Sequence, residues 1–246
     1  MQEPTMGIAH FLAQGDAISK TLLAILALMS LVSWYLIVTK GVTSLLMRKK
    51  SKAFEELFWN ASNLTEVTHE IQTHGVNEPF AHLTSHAVFA REHHARSGAA
   101  KLNEAGTLAD FLTRTMRKVI DEETARLEAG LTVLASIAST APFVGLFGTV
   151  WGVFHALMGI GMAGSATLDK VAGPVGEALV MTGIGLAVAI PAVLGFNTFT
   201  RFNRVYLARL DTFAHDLYAF LTTGHAVAPS AMQPNVNVAP LRSAGN

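Results

Sequence analysis

The sequence predicts an all-α integral membrane protein with three transmembrane helices, the second and third extended by long cytoplasmic helices. Three apolar runs, 21–39, 129–168 and 178–200, contain no Asp, Glu, Lys or Arg. Half of the residues are hydrophobic, 15% are charged and the mean hydropathy is +0.37, as is typical of membrane proteins. The chain has no cysteine, which excludes disulfides, thiol catalysis and thiolate metal ligands.

The first span is predicted at 21–39, after a periplasmic N-terminal segment, 1–20. A cleaved signal peptide is the alternative for this run. The run is long enough to cross the hydrocarbon, contains Trp34 and Tyr35, and ends at Lys40 without a small-residue cleavage pattern. We therefore expect an uncleaved transmembrane helix.

The second and third spans are predicted at 129–163 and 176–200, joined by a periplasmic loop, 164–175. As a helix, the 129–168 run would extend about 60 Å, twice the hydrocarbon thickness of a bilayer. The run therefore crosses the membrane with length to spare.

Basic residues cluster at one end of each span, which predicts a periplasmic N-terminus, a cytoplasmic region at 40–128 and a cytoplasmic C-terminus. The cluster at 48–52 is explained by anionic membrane lipid, and no nucleic-acid partner is predicted. The basic residues are Lys40, Arg48, Lys49, Lys50, Lys52, Arg114, Arg117, Lys118, Arg126, Arg201, Arg204 and Arg209.

The cytoplasmic parts have helical periodicity. A stripe of apolar residues from Leu108 to Leu127 predicts one long helix that continues into the second span. The segment 201–223 predicts a helix that packs against this stripe or against a neighbouring subunit. Between 40 and 106, glycines and a proline predict shorter helices, such as Ala53–Phe58, and 224–246 is predicted to be a disordered tail.

Four glycines of the second span, Gly145, Gly148, Gly152 and Gly159, lie along one helix face. Such a face lets another backbone approach closely. Either one compact three-helix monomer or a ring of subunits uses this packing. Three helices are too few to enclose a path through the bilayer, so a path requires the ring.

Polar residues are sparse in these spans. Glu177 lies 24 residues before Arg201, roughly 36 Å along a helix, near the outer edge of the hydrocarbon. An acid at this depth either has a functional role or only extends its carboxylate to the water at the membrane surface. Thr149 and Thr182 lie deeper, and each either lines a pore or bonds its own backbone. By helical spacing Glu177 and Thr182 are about 140° apart, so they cannot both point straight at one axis.

Histidines give weaker signals. His155 could carry a proton, but it equally suits a packing or hydrogen-bonding role on a glycine-rich helix. In the cytoplasmic region, His82, His86, His93 and His94 have spacings compatible with a metal pair, but neither cysteine nor an HExxH pattern accompanies them, so a solvated face is preferred. We predict no metal, no cofactor and no enzymatic activity, since no catalytic motif is visible.

Two stretches, 140–152 (TAPFVGLFGTVWG) and 176–192 (GEALVMTGIGLAVAIPA), closely resemble the ExbB/TolQ family of proton-channel proteins, relatives of the flagellar stator subunit MotA. The resemblance extends more loosely over 15–224. The segments 33–40 and 213–217 look most like ExbB, whereas His155 looks more like TolQ.

The resemblance implies an inner-membrane homopentamer whose second and third spans line a pore. A dimer of single-span ExbD-type subunits, each with one intramembrane aspartate, stands in that pore, and a TonB-type protein delivers the work to outer-membrane transporters. By motif position, Thr149, Glu177 and Thr182 match the family's polar pore residues. The alternatives are a TolQ-type subunit of the Tol-Pal envelope-integrity system and a non-conducting membrane scaffold.

Overall fold

The computed structural model describes residues 16–61, 63–75, 78–97, 107–163 and 168–223. Within these ranges the chain forms helices and no strands, which confirms the predicted all-α class. Three segments are long and apolar enough to cross a membrane: Ala17–Asn60, Leu108–Met162 and Val175–Thr223. In chain order the helices are α1 (Ala17–Asn60), α2 (Leu64–His74), α3 (Pro79–Ser97), α4 (Leu108–Glu128), α5 (Leu131–Ala163) and α6 (Leu168–Thr223).

The first helix is longer than expected. The predicted short helix Ala53–Phe58 is part of α1, which runs without a break from the apolar run into the basic segment. That prediction was wrong because 40–60 contains only one glycine, Gly41, and no proline. An isolated glycine costs a helix about 1 kcal/mol, too little to end it.

The second apolar segment contains two helices where the sequence predicted one. α4 ends at Glu128 and α5 begins at Leu131. Between them Gly130 has a φ of +81°, the left-handed conformation that commonly ends helices at glycine. The stripe and the span are therefore separate helices, because helical periodicity can persist across a two-residue turn.

The third apolar segment is one continuous helix of 56 residues, α6, which includes the predicted cytoplasmic helix 201–223. The predicted loop 164–175 differs from the structure, because the chain is helical from Leu168 onward. Residues 164–167, the N-terminal 1–15 and the predicted tail 224–246 lie outside the described residues.

The chain divides into two compact units, within 1–57 and 122–207 (unit 1) and within 58–121 and 208–246 (unit 2). Unit 1 contains the predicted spans, and its buried core includes residues of α1, α5 and α6. The fully buried members are Leu26, Leu134, Ala141, Met181 and Ala192.

Unit 2 has an aromatic core. Phe213 of α6 meets Phe58 and Phe80 edge to face, with ring centroids 5.0 and 5.2 Å apart. Leu112 and Met116 of the predicted α4 stripe are buried as expected. Caps fix two helix starts here: Glu78 accepts the backbone N–H of Ala81, and Thr107 and Asp110 bond each other reciprocally. The helices of unit 2 thus have a core of their own.

Candidate functional site

Three of the predicted packing glycines lie where α5 meets α6. A Cβ built at Gly145 would meet the Met181 carbonyl oxygen at 2.7 Å and the Gly185 Cα at 3.1 Å. At Gly148 it would meet the Met181 side chain at 2.9 Å, and at Gly152 the Ala178 Cβ at the same distance. The two backbones approach this closely because side chains are missing on one or both sides.

The fourth glycine behaves differently. Apart from its chain neighbours and the adjoining backbone of α5, no described atom lies within 4 Å of a Cβ built at Gly159, and the residue is exposed. Packing at Gly159 against another helix stays a prediction, and such a helix would come from outside the described part of this chain.

Thr149 and Thr182 meet across this contact. Their hydroxyl oxygens are within hydrogen-bonding distance of each other. The Thr149 hydroxyl also lies 3.0 Å from the Ala178 carbonyl oxygen and 3.2 Å from that of Gly145. A hydroxyl carries one hydrogen, so when Thr149 donates to a carbonyl, Thr182 donates to Thr149. The pair forms a short polar chain between two apolar helices.

Glu177 lies at the edge of the same contact. The α6 face against α5 is formed by Ala178, Met181, Thr182 and Gly185. By helical spacing Glu177 is about 40° from Met181, and its side chain is half-buried. Thr182 thus lies within the α5–α6 interface, and Glu177 lies beside it. The two side chains therefore point in different directions, as their separation of about 140° requires.

His155 is exposed and contacts residues of its own helix. Its ring centroid lies 4.4 Å from that of Trp151, and its Nδ1 is 3.2 Å from the Trp151 carbonyl oxygen. The Trp151 indole N–H in turn donates to Asp16 Oδ2 at 2.5 Å. Burial alone would raise the pKa of Asp16, but hydrogen bonds from Ser19 and Trp151 outweigh it and lower the pKa below 3.8.

The basic ends of the spans are tied together at one carbonyl. The Leu127 oxygen accepts from Lys40 Nζ at 2.6 Å and from Asn203 Nδ2 at 2.9 Å. Desolvation at this position lowers the pKa of Lys40 below 10.5. Nearby along α1 and α6, the Ser51 and Tyr206 hydroxyls bond each other at 2.6 Å. These contacts fix α1, the end of α4 and α6 relative to one another within unit 1.

Sequence reasoning missed the partners in both polar ties. Lys40 was predicted only as one of the basic charges that set the orientation, and neither Asp16 nor Asn203 was given a role. One signal was present at Asp16, since an acid just before an apolar helix is a common N-cap. Nothing in the local sequence indicates Trp151 as its partner, 135 residues away.

Similarity to known proteins supports one family. The profile of the MotA/TolQ/ExbB proton channel family matches residues 82–212. The biopolymer transport protein ExbB of Xanthomonas campestris pv. campestris (strain B100) is 40% identical over 230 residues, which cover 90% of this chain and 91% of that protein. ExbB of Neisseria meningitidis serogroup A is 36% identical, over 88% of this chain and 97% of its own length.

TolQ proteins are similar at lower identity than these two. The Tol-Pal system protein TolQ of Pseudomonas aeruginosa is 34% identical, over 78% of this chain and 82% of its own length. Together these similarities support an ExbB-type proton-channel protein of the inner membrane. The chain belongs to the MotA/TolQ/ExbB proton channel family.

Proposed function

We propose that this chain is the wall of a proton path in an ExbB-ExbD-type motor. Five copies surround a dimer of single-span, acid-bearing subunits, and a TonB-type protein carries the work to outer-membrane importers. The N-terminus is periplasmic and the C-terminus cytoplasmic. Thr149, Thr182 and Glu177 are the polar groups of the path that this chain contributes, with His155 as a weaker candidate.

The observation that carries this proposal is the hydroxyl pair between α5 and α6. Thr149 and Thr182 contact each other in a stretch where 129–168 and 178–200 contain no charged residue. A threonine hydroxyl passes a proton along hydrogen bonds but does not titrate near neutral pH. Glu177 lies near the outer edge of the hydrocarbon, so at the depth of the hydroxyl pair a titratable carboxylate must come from another molecule, as the single-span partner would provide.

The partner's carboxyl explains how proton flow drives motion. Against an apolar wall desolvation raises the pKa of a carboxyl and keeps it neutral, and beside hydroxyls and water it ionises. Each proton that crosses 100 mV releases about 2.3 kcal/mol. One or two protons per step are enough to bias a rotation or rocking of the inner dimer.

Proton flux in liposomes tests the proposal. The chain is reconstituted with its single-span partner, and Thr149→Ala, Thr182→Ala and Glu177→Ala are compared with wild type under an imposed proton gradient. We expect each variant to assemble and to lose most of the flux. Thr198→Ala is the matched control on α6, because the Thr198 hydroxyl is exposed and bonds the Leu194 carbonyl oxygen of its own helix at 2.7 Å.

Full flux in all three variants would overturn the assignment of the path. Flux from this chain alone at the level of the complex would overturn the need for a partner's acid. A purified protein that stays monomeric would contradict the ring. Native mass spectrometry of the solubilised complex measures the subunit count and identifies the partner in one experiment.

The orientation has its own test, which the absence of native cysteine makes clean. Single cysteines are introduced at Thr5 and Thr73, and intact spheroplasts are treated with a membrane-impermeant maleimide. We expect labelling of Thr5→Cys only. Labelling of Thr73→Cys in intact spheroplasts would reverse the proposed topology.

A TolQ-type role uses the same machinery, and the similarity to TolQ proteins keeps it as the second candidate. Deletion of the gene distinguishes the two. Iron starvation with a normal envelope supports the ExbB-type role, whereas detergent sensitivity and division defects with normal iron uptake support the TolQ-type role.

A further inference from the structure

One carboxylate makes two different contacts at the start of α1. Asp16 Oδ1 accepts the backbone N–H of Ser19 at 2.9 Å, which is an ordinary N-cap. Asp16 Oδ2 accepts the indole N–H of Trp151 at 2.5 Å. A cap needs only one acceptor, and serine supplies it as well as aspartate does. The second contact is therefore independent of the cap.

The contact lies at one level of the spans. Asp16 is 24 residues before Lys40, about 36 Å along a helix, and Trp151 is 21 residues after Gly130, about 32 Å. Glu177 is 24 residues before Arg201 on α6, again about 36 Å. All three residues therefore lie at a similar height, toward the outer side of the membrane in the proposed orientation. The contact with Asp16 thus joins α1 to α5 at the level where Glu177 adjoins the path.

Trp151 connects the Asp16 contact to the turn of α5 that carries Thr149. It follows Thr149 by two residues on α5, and its ring contacts those of Phe147 and His155 at centroid distances of 6.4 and 4.4 Å. The same turn of α5 presents Gly152 to Ala178 of α6. A force on the indole therefore acts on the turn that holds the Thr149 hydroxyl against α6.

The charge of Asp16 strengthens the tie. A hydrogen bond to an ionised carboxylate is shorter and roughly twice as strong as one between neutral groups. His155 lies beside the same indole, and its charge, when present, further favours ionised Asp16. Ser19 also contacts the carboxylate, through its backbone N–H and its side chain.

We propose that Asp16 is a positioning residue of the proton path, which holds Trp151 and so fixes the Thr149 hydroxyl in its contact with Thr182. The proposal rests on the proposed function for its effect on flux. The Asp16–Trp151 bond itself, by contrast, is testable without any flux.

The test combines two substitutions with a spectroscopic readout. Asp16→Ser keeps the cap and removes the second acceptor, and Trp151→Phe keeps an aromatic ring and removes the N–H donor. Both single variants, the double variant and wild type are purified as the complex with the single-span partner. Ultraviolet resonance Raman difference spectra against Trp151→Phe isolate the indole of this residue and report whether its N–H is hydrogen-bonded.

We expect Asp16→Ser to lose the strong hydrogen-bond signature of Trp151 and to lower proton flux by up to about tenfold, the effect of losing one charge-assisted hydrogen bond. Trp151→Phe should lower flux similarly, and the double variant should be no worse than either single one. Thr21→Val is the matched control, because the Thr21 hydroxyl bonds the Ala17 carbonyl oxygen at 2.7 Å at the same end of α1. It should leave both readouts unchanged.

Each other result overturns a specific statement. An unchanged Raman signature in Asp16→Ser overturns the Asp16–Trp151 bond. A lost signature with full flux, or additive losses in the double variant, overturns the positioning role. If Thr149→Ala, Thr182→Ala and Glu177→Ala all keep full flux, the proposed path fails instead, and the Raman result still decides whether the bond exists.

Discussion

In unit 1, α5 and α6 approach where side chains are missing, and Gly145 lies against the backbone of Gly185. In unit 2, α6 is held by large rings, with Phe213 packed on Phe58 and Phe80. The same helix, α6, thus contributes to two interfaces built on opposite rules. Lipid is as apolar as leucine, so helices in a membrane gain little from burying large side chains and pack by close backbone approach. Water-facing helices gain most from burying apolar area.

Phe213→Ala has the largest expected effect on stability. Phe213 is 2% exposed, and its removal leaves a cavity among three aromatic residues. We expect the free energy of unfolding to fall by about 3–5 kcal/mol, measured by reversible denaturation in detergent micelles. Phe89→Ala is the control, since Phe89 is 67% exposed and should cost little. Equal losses in the two variants would contradict a packed aromatic core in unit 2.

Gly145→Ala tests packing by close backbone approach in unit 1, and its expected effect on the free energy of unfolding is smaller. The added methyl would lie 2.7 Å from the Met181 carbonyl oxygen, which belongs to backbone and cannot rotate away. We expect a loss of about 1–3 kcal/mol from overpacking, partly offset by the roughly 1 kcal/mol that alanine gains over glycine in a helix.

Gly159→Ala is the matched substitution on the same helix. Open space surrounds Gly159 within the described residues, so the isolated chain should be unchanged or slightly stabilised. If Gly159→Ala destabilises only the assembled complex, the residue packs against another subunit. A stable Gly145→Ala variant would refute close backbone contact as the basis of the α5–α6 interface.

The difference between backbone packing in unit 1 and side-chain packing in unit 2 also explains how far the sequence predicted the structure. Charge-free runs predicted the three spans because a bilayer leaves few alternatives for them. Apolar periodicity predicted that Leu112 and Met116 are buried, since one face of a water-exposed helix must pack. Glycine spacing predicted a face of α5 open to another backbone, and three of its four glycines lie against α6. It did not predict the partners Met181 and Ala178, because glycine carries no side chain that selects a neighbour.

The features that the sequence did not predict depend on long-range contacts or on one dihedral angle. The break at Gly130 depends on a single φ of +81°, and apolar spacing continues on both sides of it. The bonds of Lys40 and Asn203 to the Leu127 oxygen join positions 87 and 76 residues apart. Thr149 and Thr182 were assigned by family resemblance, because a threonine pair on separate helices carries no local signal of contact.

Acidification gives the smallest expected effect and compares one carboxylate in each unit. In unit 1, the pKa of Asp16 is lowered because hydrogen bonds from Ser19 and Trp151 outweigh burial. In unit 2, hydrogen bonds from Thr107 lower the pKa of Asp110. A carboxyl with a lower pKa in the folded state stabilises the fold above pH 3.8, and this contribution disappears as the pH falls through the folded-state pKa.

We therefore expect Asp16→Asn and Asp110→Asn each to flatten the dependence of unfolding free energy on pH below 3.8, with no change in its slope near neutrality. The two variants should differ when each is combined with Trp151→Phe. Combining Asp16→Asn with Trp151→Phe should add no further flattening, because Asp16→Asn already removes the carboxyl whose pKa the indole lowers, whereas Asp110→Asn with Trp151→Phe should be additive. Additivity in the first pair would mean that the indole does not stabilise ionised Asp16, and would leave unit 1 without its link between α1 and α5 at that end.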